Sequence, residues 1–396
     1  MTPADRHIAR QLTSQVRASA VVTEGWRLLR TGLRRRFTGP SRYEGTAEEI
    51  CEQIVRKCYC SEQGFFMTSP ASYPEFWARD FGRCVPALLS LGFEKEVTRT
   101  FEYALRHYEA AGRFALVILP DGRLFDFPAY APDGFALFMM GLASLSDRTL
   151  VHRHRAFLEA EIDRFASLVI DPHTGLVRRK LHYSEAQDYA LRDSSCYSNS
   201  MCALLQRSLA SLGLRNPLAD ADRAGLIERH FWRGDHYADD LAMPDHPSGD
   251  AQLMPFWTGV VRPDPAGRNR LELVLRWMDD RGLNSPFPSR YGVRTSDRRP
   301  MHPLHVFNPW QRDTVWTCLG LHLIEVLRDF SHPRFYKEVE AYRVMVERLA
   351  CFPEVIHSRT ANLHTGPLIR AEDSMLWAAG LWSILVSMKT SQGYGQ

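Results

Sequence analysis

The feature that most constrains this 396-residue chain is a strict alternation between two kinds of helical segment. After residue 45 the apolar residues recur with helical period in one segment after another, and strand-like alternation is almost absent. The period predicts twelve helices, near 46–59, 80–92, 94–110, 133–145, 150–168, 196–212, 219–231, 251–260, 268–281, 313–330, 332–351 and 371–388. Gly92, Asp147, Gly282 and Ser331-His332-Pro333 supply stop and start signals between them. The odd-numbered segments, such as Glu94–Phe101 and Arg334–Glu340, carry charge on one face and apolar residues on the other, so one side stays in water. The even-numbered segments, such as Gly134–Leu142, Ala251–Val261 and Ser374–Val386, are apolar nearly all round and must be surrounded by protein.

Exposed and enclosed helices alternating over twelve elements predict two concentric rings of six, linked as hairpins: an all-α (α/α)6 barrel over residues 46–390. Residues 1–45 read as an N-terminal helical extension packed on the barrel, and 391–396 as a tail. In such a barrel every outer-to-inner connection emerges on one rim. Those connections are long, about 60–79, 111–132, 169–195, 232–250, 282–312 and 352–370, whereas the opposite set is mostly a handful of residues each. Long loops in a compact domain usually serve function. Six of them on one rim describe the walls of a cleft.

Composition narrows the classes of function. A chain that is 45% hydrophobic and 24% charged, with no apolar run of membrane-span length, reads as a globular protein without a membrane span. A net charge of only +3 argues against nucleic-acid binding, which needs a concentrated basic face. The basic stretch Arg27–Phe37 reads as a solvated helix on the outside of the domain. The eight cysteines form no C-x-x-C pair and suggest neither a zinc site nor a disulfide framework, and the N-terminus lacks the pattern of a secretory signal. A cytoplasmic setting is the expectation.

Polar and aromatic residues concentrate where the long loops meet the enclosed helices. They include Trp77, Arg79 and Asp80; Asp126, Tyr130 and Asp133; Glu185, Asp188, Arg192 and Asp193; Asp245 and Asp250; Arg290, Trp310, Arg312 and Asp313; and Glu354, Arg370, Glu372 and Asp373. Any one acidic residue before a helix is explained as a cap. A rim with carboxylates in every loop, arginines in most and tryptophans in some suits a sugar, whose hydroxyls bond Asp and Arg while its C–H face lies on an aromatic ring. Hydrolysis of a glycosidic bond needs two carboxyl groups across it, about 6.5–9.5 Å apart when configuration inverts. Asp188 in the third loop and Glu354 in the sixth come from opposite sides of the ring. Spacing also admits Glu185 or Asp193 as the acid and Glu372 as the base.

Phe76-Trp-Ala-Arg-Asp-Phe81 with Val85–Gly92 resembles the W-x-R-D segment and first inner helix of the six-hairpin glycosidases. These include glucoamylases, the amylo-α-1,6-glucosidase part of glycogen debranching enzymes, and the processing-glucosidase-like group with its mannosylglycerate hydrolases. Asp121-Gly-Arg-Leu with Tyr130–Phe138 resembles their second sugar-binding segment, and Asn308–Trp316 resembles their W-R-G-x-x-W loop, with Asp313 where that group has glycine. Asp188–Leu204 is similar to the debranching-enzyme stretch that carries the general acid, without its preceding tryptophan. Glu354, Thr365-Gly366 and Leu376–Leu381 are similar to the closing pattern that carries the general base. The resemblance covers about residues 60–390 and implies an inverting glycoside hydrolase acting on an α-glucoside or related small glycan. It implies Asp188 as acid, Glu354 as base, and sugar contacts from Trp77, Arg79, Asp80, Tyr130, Asp133, Trp310 and Arg312; Asp250 and Glu372 are expected to join them by their place on the rim. Water and two carboxyl groups suffice, so no cofactor is expected.

The same barrel hosts other chemistry. An N-acylglucosamine-epimerase-type isomerase would use histidines as acid and base, and His302, His305, His357 and His364 lie on this rim. A polysaccharide lyase, or a glycan-binding module without catalysis, are the remaining alternatives.

Overall fold

The computed structural model describes residues 39–285, 287, 289–293, 299–303, 314–365 and 370–393, with positions 7–9, 12, 26, 30 and 31 of the N-terminal region. The amphipathic segments form the outer ring: α1 (Ala47–Cys58), α3 (Glu94–Ala111), α6 (Arg155–Val169), α8 (Arg223–Phe231), α10 (Pro265–Asp280) and α12 (Arg334–Leu349). The apolar segments form the inner ring: α2 (Ala78–Ser90), α4 (Pro132–Ser144), α7 (Cys196–Leu212), α9 (Gly249–Trp257), α11 (Thr317–Asp329) and α13 (Ala378–Gly393). A short helix, α5 (Thr149–Arg153), precedes α6. This is the expected (α/α)6 barrel.

Local chemistry sets several of the starts. Thr46 and Glu49 form a reciprocal capping box at α1, Ser195 caps α7, and Asp264 caps α10. The inner helices pack in chain order from α2 to α11, and α13 packs against α2. The ring closes where Leu321 of α11 approaches the bare backbone of Gly380 in α13; a Cβ there would lie 3.3 Å from the leucine methyl. The closest helix contact is between α2 and α4, where a Cβ on Gly82 would sit 2.4 Å from the Leu137 carbonyl oxygen.

Two departures from the predicted helices have local causes. The fifth breaks at His154 into α5 and α6. The twelfth begins at Ala378 rather than near 371, because the backbone N–H groups of Asp373 and Ser374 bond the Glu372 carboxylate, and Phe352 pairs with Ser374 as an isolated bridge. The sequence period also misses the short ladders, since two residues carry no period. The strands β1 (Tyr59–Cys60) and β2 (Phe65–Phe66) pair, as do β3 (Phe76–Trp77) with β4 (Val117–Ile118), β4 with β5 (Leu124–Phe125), and β6 (Val315–Trp316) with β7 (Val355–Ile356).

These ladders tie rim loops to one another. The β3–β4 pair links the first loop to the second, and the β6–β7 pair links the fifth to the sixth. An Ala190–Met301 bridge joins the third to the fifth. Of the N-terminal extension, Ile8 and Leu12 are buried against the barrel core, and the basic stretch Arg27–Phe37 lies almost wholly outside the described residues. Among the described residues no helix is long and apolar enough to cross a membrane.

The close contact at Gly82 gives a stability prediction. Gly82→Ala drives a methyl group into backbone that cannot rotate away, so it should cost roughly 1–3 kcal/mol or more despite the higher helix propensity of alanine. Thermal unfolding of Gly82→Ala beside the parent protein checks this.

Candidate active site

The first inner helix opens directly from β3, so Arg79 and Asp80 lie in its first turn, on the rim of the long loops. Arg79 is largely enclosed, with 12% of its side chain exposed. Its Nε lies 2.8 Å from Asp133 Oδ2 and its Nη2 donates to Asp133 Oδ1 at 3.1 Å. The same Nη2 donates to Ser184 Oγ at 3.0 Å, and Nη1 donates to Asp188 Oδ1 at 2.9 Å. Ser184 also donates to Asp188 at 2.6 Å. Arg79, expected as a clamp on sugar hydroxyls, therefore clamps the third-loop carboxylate instead. Asp133, fully buried, uses both oxygens on Arg79 and the Tyr197 hydroxyl, which donates at 2.8 Å. Asp133 was expected to touch sugar; the structure makes it the support for Arg79.

Glu354 stands at the entry to β7, with 5% of the residue exposed. The Tyr73 hydroxyl donates to its two oxygens at 3.2 and 3.4 Å, and the Glu372 N–H donates to Oε2 at 3.2 Å. Burial, followed by the charges of Glu372 and Asp80, pushes the Glu354 carboxyl up to about 8, against the pull of the Glu372 N–H and the Tyr73 hydroxyl. Asp80 is close enough to act on both carboxyl groups, since its own proton affinity is raised by burial and, more weakly, by the charge of Asp188. Asp188 and Glu354 are thus both within electrostatic reach of Asp80.

Aromatic rings stand beside these carboxyl groups. Tyr73 meets Trp77 edge-to-face with centroids 6.0 Å apart, and Tyr189, next to Asp188, meets Phe127 at 5.8 Å. Asp80 accepts from Trp377 Nε1 through Oδ1 at 2.7 Å, while no donor among the described residues meets Oδ2. Trp316, paired with Val355 beside Glu354, is 7% exposed, and its indole N–H has no acceptor among the described residues. Tyr73 escaped the sequence reading because a single tyrosine in a Ser-Pro-rich loop carries no pattern. Its signal was only its position four residues before Trp77.

Other expected sugar contacts are used within the protein. Tyr130 is 1% exposed and packs beneath Arg164 of α6, with the guanidinium 5.9 Å from its ring. Asp250 has no exposed surface and takes both oxygens to Arg192, at 2.8 and 2.9 Å. Glu372 accepts from the backbone N–H groups of Ser72, Asp373 and Ser374 at 2.8, 2.9 and 3.1 Å. Trp310 and Arg312 lie outside the described residues.

The alternative acids and bases are committed in the same way. Glu185 bonds Arg192, Ser195 and Ser198, and Asp193 pairs with Arg179 at 2.6 Å. Glu372, the alternative base, holds loop backbone. Of the rim histidines, His302 stacks on His182 at 5.3 Å and His357 on His364 at 5.9 Å, whereas His305 lies outside the described residues. Burial lowers His182 to about 4. Among the described residues no group of three or more His, Cys, Asp or Glu side chains could hold a metal ion.

No protein-family profile matches the chain, and no curated protein matches it in sequence. Solved structures do match in fold. A rhamnosidase from Klebsiella oxytoca with rhamnose bound aligns at a TM-score of 0.64 and 12% identity over 87% of this chain, and the alignment spans 63% of that protein. The GH63 mannosylglycerate hydrolase from Thermus thermophilus in complex with Tris aligns at 0.61 and 14% identity, over 85% of this chain and 99% of that one. The GH78 family rhamnosidase of Bacillus sp. GL1 aligns at 0.58 and 13% identity, covering 86% of this chain and 34% of that one. The chain has the (α/α)6-barrel fold of the six-hairpin glycosidases.

The burial of Glu354 also predicts a stability effect. Its folded-state pKa of about 8 lies above the ordinary value of 4.5, so stability present below pH 4.5 is lost as the pH rises through 8. Glu354→Gln carries no such penalty. Its Tm should exceed the parent's at pH 9, on the order of 5 °C more than at pH 5, as read by scanning calorimetry at both values.

Proposed function

We propose that this chain is a glycoside hydrolase whose reacting groups are Asp188 and Glu354, acting on an α-glucoside or related small glycan with inversion of configuration. What supports the reading is that these two carboxyl groups, from the third and sixth rim loops, are both within electrostatic reach of Asp80 and have aromatic rings beside them. Asp80 Oδ2 offers an acceptor to a sugar hydroxyl. Trp77 and Tyr73 offer ring surface to its C–H face.

In this reading Asp188 protonates the leaving oxygen and Glu354 takes a proton from the attacking water. A base with a pKa near 8 is well matched to that task, since it is partly ionised near neutrality and strong enough to accept the proton. The Tyr73 hydroxyl and the Glu372 N–H both donate, and so favour the ionised form. Arg79 and Ser184 fix the Asp188 carboxyl on one oxygen, which sets its direction.

One observation favours exchanging the two roles. Below pH 8 the resting Glu354 holds a proton, while Asp188 is in an ion pair with Arg79. The pH profile separates the two assignments. With Glu354 as base, kcat/KM should climb about tenfold per pH unit up to 8; with Glu354 as acid, it should fall at that rate above 8.

A panel of aryl glycosides and small oligosaccharides, with product anomers followed by NMR, tests the activity itself. Asp188→Asn and Glu354→Gln should each lower kcat by on the order of a thousandfold or more while the fold persists. If both variants keep activity and His357→Ala loses it, the chain is an epimerase-type enzyme instead.

A further inference from the structure

One turn below Asp80, inside the barrel, lies a chain of polar groups that the reaction as written does not use. Arg83 of α2 is 14% exposed and touches four side chains. Its Nη2 is 3.9 Å from Asp80 Oδ1, its guanidinium carbon is 4.8 Å from the Trp377 ring centroid, and its Nη1 is 3.2 Å from His322 Nε2. The Cys318 thiol is also close to it. A guanidinium can only donate, so His322 Nε2 accepts and the ring proton resides on Nδ1. That Nδ1 faces Glu325 Oε2 at 3.6 Å, and Glu325 Oε2 in turn accepts from Trp257 Nε1 at 2.6 Å. The Trp257 and His322 rings meet edge-on at 4.4 Å.

The series runs from α9 through α11 to α2 and on to the turn before α13. Helices α2 and α11 are not neighbours in the ring, because α13 lies between them, so the Arg83–His322 contact crosses the barrel interior. Its upper end is Asp80 Oδ1, which accepts from the Trp377 indole and has the Arg83 guanidinium, itself over the Trp377 ring, beside it. Oδ2 is left without a donor among the described residues. Among the charges around Asp80, Arg83 does more to hold its carboxyl down than Arg79 does, and Arg79 is already engaged by Asp133 and Asp188.

We propose that Arg83 is a positioning residue for sugar binding: it and Trp377 fix Asp80 with Oδ2 free for a substrate hydroxyl, and His322, Glu325 and Trp257 hold Arg83 in place from across the barrel. The proposal rests on the reading of Asp80 as a sugar contact. It assigns roles to four residues in the second and later turns of inner helices, well below the rim.

Two measurements test it, one of which needs no substrate. With the aryl glycoside that the unmodified enzyme cleaves fastest, Arg83→Met should raise KM on the order of tenfold and change kcat by less than about threefold. Because Arg83 acts through Asp80, Arg83→Met combined with Asp80→Asn should be no worse than Asp80→Asn alone. Additive effects on KM would mean that Arg83 acts independently, and would overturn the proposal. If Arg83→Met does not fold, Arg83→Lys keeps a cation that cannot reach all its partners and enters the same cycle.

The second measurement is the indole N–H resonance of Trp377, assigned by its loss in Trp377→Phe. It should move in Arg83→Lys and, by a smaller amount, in Glu325→Gln, and long-range nitrogen correlation should show His322 protonated on Nδ1. A Trp377 resonance that stays put in both variants refutes the relay. If no glycoside is cleaved at all, the hydrolase reading fails while this resonance still decides the fate of the relay.

Discussion

The rim of this barrel is built from long loops with little regular structure, and buried arginines bind those loops together. Arg79 joins the first inner helix to Asp133 of the second and Asp188 of the third loop. Arg192 joins Glu185 to Asp250, and the Arg299–Asp239 pair sits against it. Buried cations of this kind are costly unless each is met by anions and hydrogen bonds, so once the partners are present the geometry has little freedom. The position of Asp188 follows from this: its carboxylate goes where the Arg79 fork and the Ser184 hydroxyl place it.

The same economy explains why several residues expected to meet sugar face inward. Asp and Arg are the side chains that bind hydroxyls bidentately, and they are equally the side chains that tie irregular backbone together. Sequence position cannot separate the two uses. Asp133, Asp250 and Glu372 stand at the junctions of loop and inner helix as Asp80 does, yet their oxygens are taken by Arg79, Arg192 and backbone N–H groups. Asp80 differs in one respect: the Trp377 indole and Arg83 both approach Oδ1, and Oδ2 is left open.

Glu354 shows how burial and hydrogen bonding act together on a carboxyl group. A carboxyl so enclosed resists ionisation, and its two donors, Tyr73 and the Glu372 N–H, reduce the resistance without removing it. The neighbouring Glu372 adds charge repulsion while it anchors the loop that delivers the N–H. That anchor extends outward to the N-terminal segment, where Ser41 N–H donates to Asp373 and the Tyr43 hydroxyl bonds Ser374. A residue remote in sequence therefore bears on the loop that carries Glu354.

The barrel itself was legible in the sequence, because helix faces are set by local spacing: a segment apolar all round has to be enclosed, and an amphipathic one has to face water. The chain alone determined twelve helices, two rings and one rim of long loops, and it placed Asp188 and Glu354 on that rim. The tertiary structure alone decided which rim side chains spend all their polar atoms on the protein and which leave one without a donor among the described residues. That outcome depends on partners more than 50 residues away, such as Asp133 and Asp188 for Arg79 or Trp377 for Asp80. Burial and the approach of distant charges leave no periodic trace in a sequence, and they fix the proton affinity of Glu354.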